Sequence, residues 1–518
     1  MPTLPTSAEK IAEHAKEYKL TLPVLRDAQQ LAMKQFGAER TPQVFLLDAD
    51  RVVRYQGRID DKYGYVFKRE DAHRADLEEA IKELVAGKPV SIAYTEPVGC
   101  MISRKSPPTT KGEITYAKHV SRVFQNKCEY CHRDGAAAPF KLSSYDDAAH
   151  WADTIKEVIT DGRMPPWHAD PKHGEFRNDR RLTEDEKVIL AHWIDNGRPM
   201  GDPADLPEPR EYPKGWMIGE PDVVFKLPKE VTIQADGVVP YRYYETETNF
   251  TEDVWVQAAE ARPGNRAVTH HIIVFIRAPN VKNLFGGEGR MASFLVGTAP
   301  GDMPLILPPG YARKIPAGSK LVWQMHYTPT GKEEKDLSEI GLVLYRGKEP
   351  PKGVALTHGI GNRFFRIPPG ADAHKVESFF TFKRDATLLS FMPHMHLRGK
   401  DFEYTAIFPD GSKEVLLSVP KYDFNWQSTY RLAQPRSMPK GTKIHCVAHY
   451  DNSEKNPANP DPTKPVVWGD QTWEEMMIGW IDFTYNGPPD SPTEPEKDVE
   501  DKDAVEKEPP VATETSTR

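Results

Sequence analysis

Five consecutive residues, Cys128-Glu129-Tyr130-Cys131-His132, have the types and spacing to hold a redox cofactor covalently. Two thiols three positions apart can form thioethers to the vinyl groups of a haem, and the adjacent histidine is then placed under the iron. A lone pair of cysteines could instead begin a zinc site or act as a redox pair. Zinc, however, needs a second ligand pair, and residues 113–205 contain no other cysteine. Haem c is therefore the expected cofactor, with Cys128, Cys131 and His132 as its protein partners. The sixth ligand should follow within the same stretch. Met164, in Gly162-Arg163-Met164-Pro165-Pro166-Trp167, offers a thioether, which raises the potential. Met200 and His168 are rival ligands, and core filling is the plain alternative for Met164.

Further downstream, imidazoles recur on apolar runs. His270-His271 lies in the run 268–276, His326 in 321–327, His394 and His396 flank Met395, and Glu475-Met476 opens a run continuing to 483. Side chains two apart on a strand share a face, so His394 and His396 can chelate one ion. Adjacent residues point to opposite faces, so His270 and His271 make a poor site unless a local bulge brings them together. Imidazole with thioether suits copper, particularly Cu(I), better than zinc, calcium or magnesium. A lone strand histidine is more often a hydrogen-bonded structural residue than a ligand. His445, His449 and the oxygen-rich stretch 451–461 read as a strand and its following loop, with a weaker claim to an extra metal.

The elements that must position these groups fall into several units, because 518 residues exceed the roughly 250–300 that one core usually serves. With 38% hydrophobic and 28% charged residues the composition is that of globular domains, and no apolar run approaches the ~20 residues of a membrane helix. A net charge of −8, with much of the acidity in the last thirty residues, gives no basic footprint for nucleic acid. Four cysteines in so long a chain are no disulfide framework. The N-terminal stretch is polar and helix-like, without the basic and apolar segments of an export signal.

Residues 1–95 alternate helix and strand patterns. A helix capped by Thr6 and Glu9 is expected to run to Tyr18, with a strand at Val24-Leu25, a helix over 28–36, strands over 44–47 and 52–55, and a helix with Leu77, Ile81 and Leu84 on one face, stopped by Gly87. Residues 96–112, Pro/Thr/Lys-rich from 105, read as a linker. A helical module over 113–205 follows, with Tyr116, Val120, Val123 and Phe124 on one face, and a second helix capped by Thr183 and Glu186, faced by Ile189, Trp193 and Ile194 and ended by Gly197. From about 215, short apolar runs alternate with Pro/Gly/Asn/Asp turns, as in a pair of β-sandwiches over 215–355 and 356–488. The tail, 489–518, has almost no large apolar residue and is expected to be disordered.

Three resemblances sharpen these readings. Residues 37–48, with Thr41-Pro42 ahead of Val44-Phe45-Leu46-Leu47, resemble the cis-proline edge of thioredoxin-like and peroxiredoxin-like domains, a likeness covering about residues 5–95. Such domains carry a reactive cysteine on an earlier strand-to-helix turn, and no cysteine precedes Cys100 here. Two readings stand: an internal start with the first strands and signal missing, or a redox-dead scaffold. Cys100 is expected to be a structural or linker thiol, a redox role being the alternative. Cys128 to His132, Ala138-Pro139-Phe140 and Arg163 to Trp167 together resemble a small mono-haem cytochrome c domain. The order of an adjacent His pair, His-Tyr after a strand, His-x-His followed by Leu-x-Gly-Lys, and a late Glu-Met resembles the copper type II, ascorbate-dependent monooxygenases, which include the peptidylglycine and dopamine hydroxylating enzymes.

That last resemblance implies two jelly-roll domains and two copper ions. His270, His271 and His326 would hold the electron-storing copper, while His394, His396 and Met476 would hold the catalytic copper that meets dioxygen and a small organic substrate. The chain departs from the family in that Met392 stands where the peptide-acting branch has a carboxylate-binding arginine, and Trp480 where it has a substrate-binding tyrosine, so a peptide carboxylate is not the expected substrate. Cys446 matches a family disulfide position, but Met477 occupies its partner's place, so no bridge is expected. Haem attachment through C-x-x-C-H implies a periplasmic or otherwise extracytoplasmic protein, with electrons from an ascorbate-like or protein donor entering through the haem. The alternatives are an electron-transfer or copper-handling protein without oxygenase activity, and a non-catalytic binding protein.

Overall fold

Frequent prolines and glycines break the chain after residue 215 into short apolar runs, which can bury their backbone polar groups only by pairing as strands. The computed structural model describes residues 8–102, 113–279, 293–298 and 304–487, apart from 66, 70, 137 and 213–214. It is multidomain, with a small helical region and a large all-β region. The cap at Thr6, the 105–112 linker and the 489–518 tail lie outside the described residues.

Two pairs of sheets make up the β region. In the first, four strands in the order Ser293–Thr298, Thr269–Arg277, Lys320–Tyr327, Arg242–Glu247 face a six-stranded sheet centred on Val254–Arg262. Inward residues of both sheets, among them Val256, Ile340, Ile272, Val274 and Trp323, form one core. In the second pair, Leu356–Gly361, Ile478–Tyr485, Ala386–His394, Tyr430–Met438 face His374–Thr381, Lys443–Tyr450, Gly399–Ile407, Lys413–Val419. Leu388, Phe391, Phe402, Tyr404 and Ile481 lie at its core. The strand pairings change from the first unit to the second between Gly353–Val354, which pairs with Tyr311–Ile315, and Leu356–Gly361, which pairs with Ile478–Tyr485. A buried ion pair, Arg313 to Asp482 at 2.6 Å, ties the units together.

The helical module packs Tyr116, Val120, Val123 and Phe124 against Trp151, Ile155, Leu190 and Trp193. Thr183 and Glu186 form a capping box with both halves present, opening the helix Glu184–Asp195. The longest helix, Tyr145–Thr160, is absent from the sequence reading. Ser144 caps it, and Ala148, Trp151, Ala152, Ile155 and Ile159 line its buried face. Beyond it the chain leaves the module and joins the second β unit: Phe176 bridges Leu432, Arg177 N–H donates to Arg431 O at 3.0 Å, and Trp167 and Phe176 meet the Tyr430 ring edge-on.

In the N-terminal unit, Val44–Leu47 pairs with Val53–Gly57, the helix Asp76–Val85 packs beside them, and Thr41-Pro42 is cis. Two expectations need correction. Val24-Leu25 forms no strand: both residues are exposed, and no neighbouring strand is available to pair with them among the described residues. The helix expected over 28–36 spans only Leu31–Phe36, because Gln30 adopts a left-handed conformation and Asp27 takes the amides of Leu31 and Met33. Among the described residues no helix is long and apolar enough to cross a membrane.

Candidate haem and metal centres

Cys128 closes the helix Ser121–Lys127, and the following turns place Cys131 and His132 beside it. The imidazole Nδ1 of His132 lies 3.1 Å from Phe140 O. A carbonyl only accepts, so Nδ1 carries the proton and Nε2 remains for a metal. Burial lowers the His132 pKa, which keeps the ring neutral, and pushes the Cys128 thiol up to about 12. Phe140 stacks on Trp151 with centroids 4.0 Å apart, fixing the residue that orients His132.

Met164 N–H donates to Val158 O at 3.0 Å, and the side chain is half-buried outside the packed helical core. Met200, by contrast, packs into that core with Cys128 and Phe140. His168 is half-buried, its pKa lowered by burial and raised by Asp423 of the second β unit.

The adjacent histidines sit at a register shift. His326 pairs with His271 and Tyr327 with Thr269, so His270 is left unopposed, and this bulge turns it toward its neighbour. One ligand nitrogen each from His270, His271 and His326 lie within 4.8 Å of one another. Nδ1 of His270, Nε2 of His271 and Nδ1 of His326 are all buried without a hydrogen-bond partner. Orphaned buried nitrogens are costly unless something binds them, and three imidazoles brought this close together fit a metal ion. Burial brings the His270 pKa down to about 4 and those of His271 and His326 well below the ordinary value, with neighbouring histidines adding to the effect on the latter two.

His394 ends the strand Ala386–His394, and its ring lies 5.2 Å from that of His396. Gln427 Oε1 stands 2.7 Å from His394 Nδ1, and Glu474 O stands 3.2 Å from His396 Nδ1. Both partners accept, so each ring is left with Nε2 to bind a metal; that of His396 is buried and unpartnered. Burial lowers both pKa values, His396 to about 3. Met476 precedes the strand Ile478–Tyr485 rather than opening it. Glu475 holds this segment against His396 by accepting the amides of His396 at 2.8 Å and Arg398 at 2.7 Å. Burial raises the fully enclosed Glu475 to about 7 against the pull of those amides. Replacing Glu475 with Ala leaves two buried amides without acceptors, at about 1–3 kcal/mol each. Urea denaturation should register this loss, and Glu475→Gln should lose less.

Phe424 lies between the two histidine groups. Its ring stacks on His270 at 5.9 Å and 13°, and meets His396 edge-on at 5.9 Å. Sequence reasoning missed Phe424 and Gln427, which reach the histidines from a distant loop. It also missed Gln324, which donates to Tyr243 OH at 2.7 Å and works against the burial-driven fall of the His271 pKa. Gln324 was within reach, since it stands two residues before His326 on one strand face. His445 and His449 pair separately with Glu377 and Asp401 and belong to neither group. Cys446 is a buried free thiol.

Residues 116–194 match the profile of the family described as cytochrome C oxidase, cbb3-type, subunit III. The helical module is a cytochrome c domain, the kind of domain that supports haem-based electron transfer. No match is found among curated protein sequences. Solved structures align loosely: infectious bursal disease virus, Gx strain, at 8% identity over 52% of this chain and 74% of that chain with a TM-score of 0.16, and a Paenibacillus xanthan lyase at 12% identity over 54% and 28% with a TM-score of 0.14. These likenesses carry no argument about fold or function.

Five neutral imidazoles, those of His271 and His396 buried and those of His270, His326 and His394 half-buried, also predict an acid response. Their folded-state pKa values are lowered, so the unfolded chain binds protons first, and the metal-free protein should lose stability as pH falls below about 6.5. The urea midpoint at pH 5 should therefore lie below that at pH 7, and an equal or higher midpoint would contradict burial of neutral rings.

Proposed function

We propose that the chain is an extracytoplasmic haem c and copper oxidoreductase, a copper-dependent monooxygenase that hydroxylates a small organic substrate with electrons supplied through the haem. The observation that carries this reading is the meeting of two histidine groups with free ring nitrogens across Phe424, in a chain whose cytochrome module also docks on the second β unit. The two sheet pairs are read as jelly rolls of the copper monooxygenase kind, and residues 1–95 as a thioredoxin-like domain.

Haem, held by Cys128, Cys131 and His132 with Met164 as sixth ligand, would supply one-electron transfer. Copper would supply one-electron redox chemistry and an open position for dioxygen. Overall, substrate R–H, dioxygen, two electrons and two protons give R–OH and water. The protein's residues do the rest. His270, His271 and His326 hold one ion in a site that burial keeps unprotonated. His394, His396 and Met476 hold the other, with Gln427 and the Glu474 carbonyl fixing the ring tautomers. Met392 pairs across the sheet with Trp480, and Phe294 lies 6.0 Å from Trp480. Met392 shares the strand face of His394, so the neighbouring wall is apolar and favours an uncharged C–H-bearing substrate over a carboxylate.

Reduced, copper-loaded protein mixed with dioxygen and a benzylic hydrocarbon probe tests this proposal. Hydroxylated product should form in proportion to dioxygen consumed, and His394→Ala should abolish both. If reduced wild-type protein leaves dioxygen untouched, the electron-transfer or copper-handling reading replaces it.

The ligand assignment has its own test. The oxidised haem protein should show the weak near-infrared charge-transfer band of methionine-bound Fe(III), and Met164→Ala should abolish it with the haem still attached. A band that survives would move the ligand to Met200.

A further inference from the structure

The segment carrying Met164 is gripped from outside its own module. Glu157, on the helix Tyr145–Thr160, pairs with Arg163 on one side and, at 2.9 Å, with Nη1 of Arg40 from the N-terminal unit on the other. Arg163 Nε donates to Asp161 Oδ2 at 2.7 Å, and its guanidinium lies 4.2 Å from the centroid of Tyr65, also from the N-terminal unit. Arg40 stands 5.8 Å from the same ring and donates to Gly99 O at 3.1 Å. The paired side chains of Arg40, Glu157 and Arg163 are 16%, 20% and 28% exposed, so water screens them less than surface pairs. A guanidinium over a partly desolvated aromatic face adds attraction of its own.

Arg163 immediately precedes Met164, and Val158, which accepts the Met164 amide, immediately follows Glu157. Every contact that holds Arg163 and Glu157 together therefore also limits how far the Met164 segment can open. We infer that the N-terminal unit braces the axial-ligand segment: Tyr65 and Arg40, acting through Arg163 and Glu157, are positioning residues that keep Met164 at the iron. This gives the N-terminal unit a function that needs no cysteine, and it rests on Met164 being the sixth ligand.

An exogenous ligand competing for the iron reads the opening directly, because its apparent affinity scales with the open population. Imidazole binding to the oxidised haem of the full chain would be titrated optically in wild type, Met164→Ala, Tyr65→Leu, Tyr65→Phe, and the Tyr65→Leu, Arg40→Met double variant. The double variant should bind imidazole at least tenfold more tightly than wild type, equivalent to about 1.4 kcal/mol. Its near-infrared methionine band should weaken, whereas Tyr65→Phe, which keeps the ring, should behave as wild type. If the double variant does not fold, Tyr65→Leu alone should still tighten binding about threefold, and wild-type affinity in it overturns the brace. Tightening in Met164→Ala with none in the brace variants overturns the brace but leaves the ligand in place. No tightening in Met164→Ala removes Met164 as ligand, and the brace with it.

Discussion

A Cys128→Ala, Cys131→Ala double variant, matured in a host with haem-attachment machinery, should carry no covalent haem at all. Haem staining after denaturing electrophoresis measures this outcome, and wild type should stain at one haem per chain. The two sulfurs are free thiols, Cys128 at the end of the helix Ser121–Lys127 and Cys131 in the turn beyond it, and the His132 ring is held with Nε2 available by the Phe140 carbonyl. Burial pushes both thiols above the usual range, so they stay protonated and reduced at neutral pH. Single substitutions should retain some haem through the remaining thioether. Staining unchanged in the double variant would remove these cysteines from haem attachment.

His326→Ala should lose one of two bound copper ions and retain the other. The three-histidine group has ligand atoms within 4.8 Å from three residues, and deleting one leaves two imidazoles that lack the third donor. The His394 and His396 pair keeps its own orienting partners, Gln427 and the Glu474 carbonyl, and should still bind. Metal analysis after desalting should give about one copper per chain against two in wild type, with the haem content unchanged. Loss of both ions would mean that the two groups form a single site across Phe424, and loss of neither would mean that His326 is no ligand.

How much of this was legible in the sequence differs from residue to residue. The haem attachment residues could be read because their chemistry is local: five neighbours carry it. The capping box at Thr183 and Glu186 was legible for the same reason, and both of its hydrogen bonds are present. Adjacent histidines on a strand required a bulge, and the register shift opposite His326 supplies it. The helix Tyr145–Thr160 was missed although its apolar residues recur at helical spacing, because Asp, His and Lys interrupt them and draw attention away from the pattern. Val24-Leu25 misled because an apolar pair carries no information on whether a partner strand exists. Phe424, Gln427 and the Arg163–Tyr65 contact could not be read from sequence at all. They join segments far apart in the chain, and only the packed β units and the docked cytochrome module bring them together.

The central claim is that one chain combines a haem c module with two copper sites, and the most direct test is a Cu(I) titration of the metal-free, haem-loaded wild-type protein against a chromophoric chelator, in parallel with a zinc titration. Two equivalents of Cu(I) should bind per covalent haem, both held in preference to zinc. Binding that never exceeds one equivalent, or a preference for zinc at both sites, would contradict it.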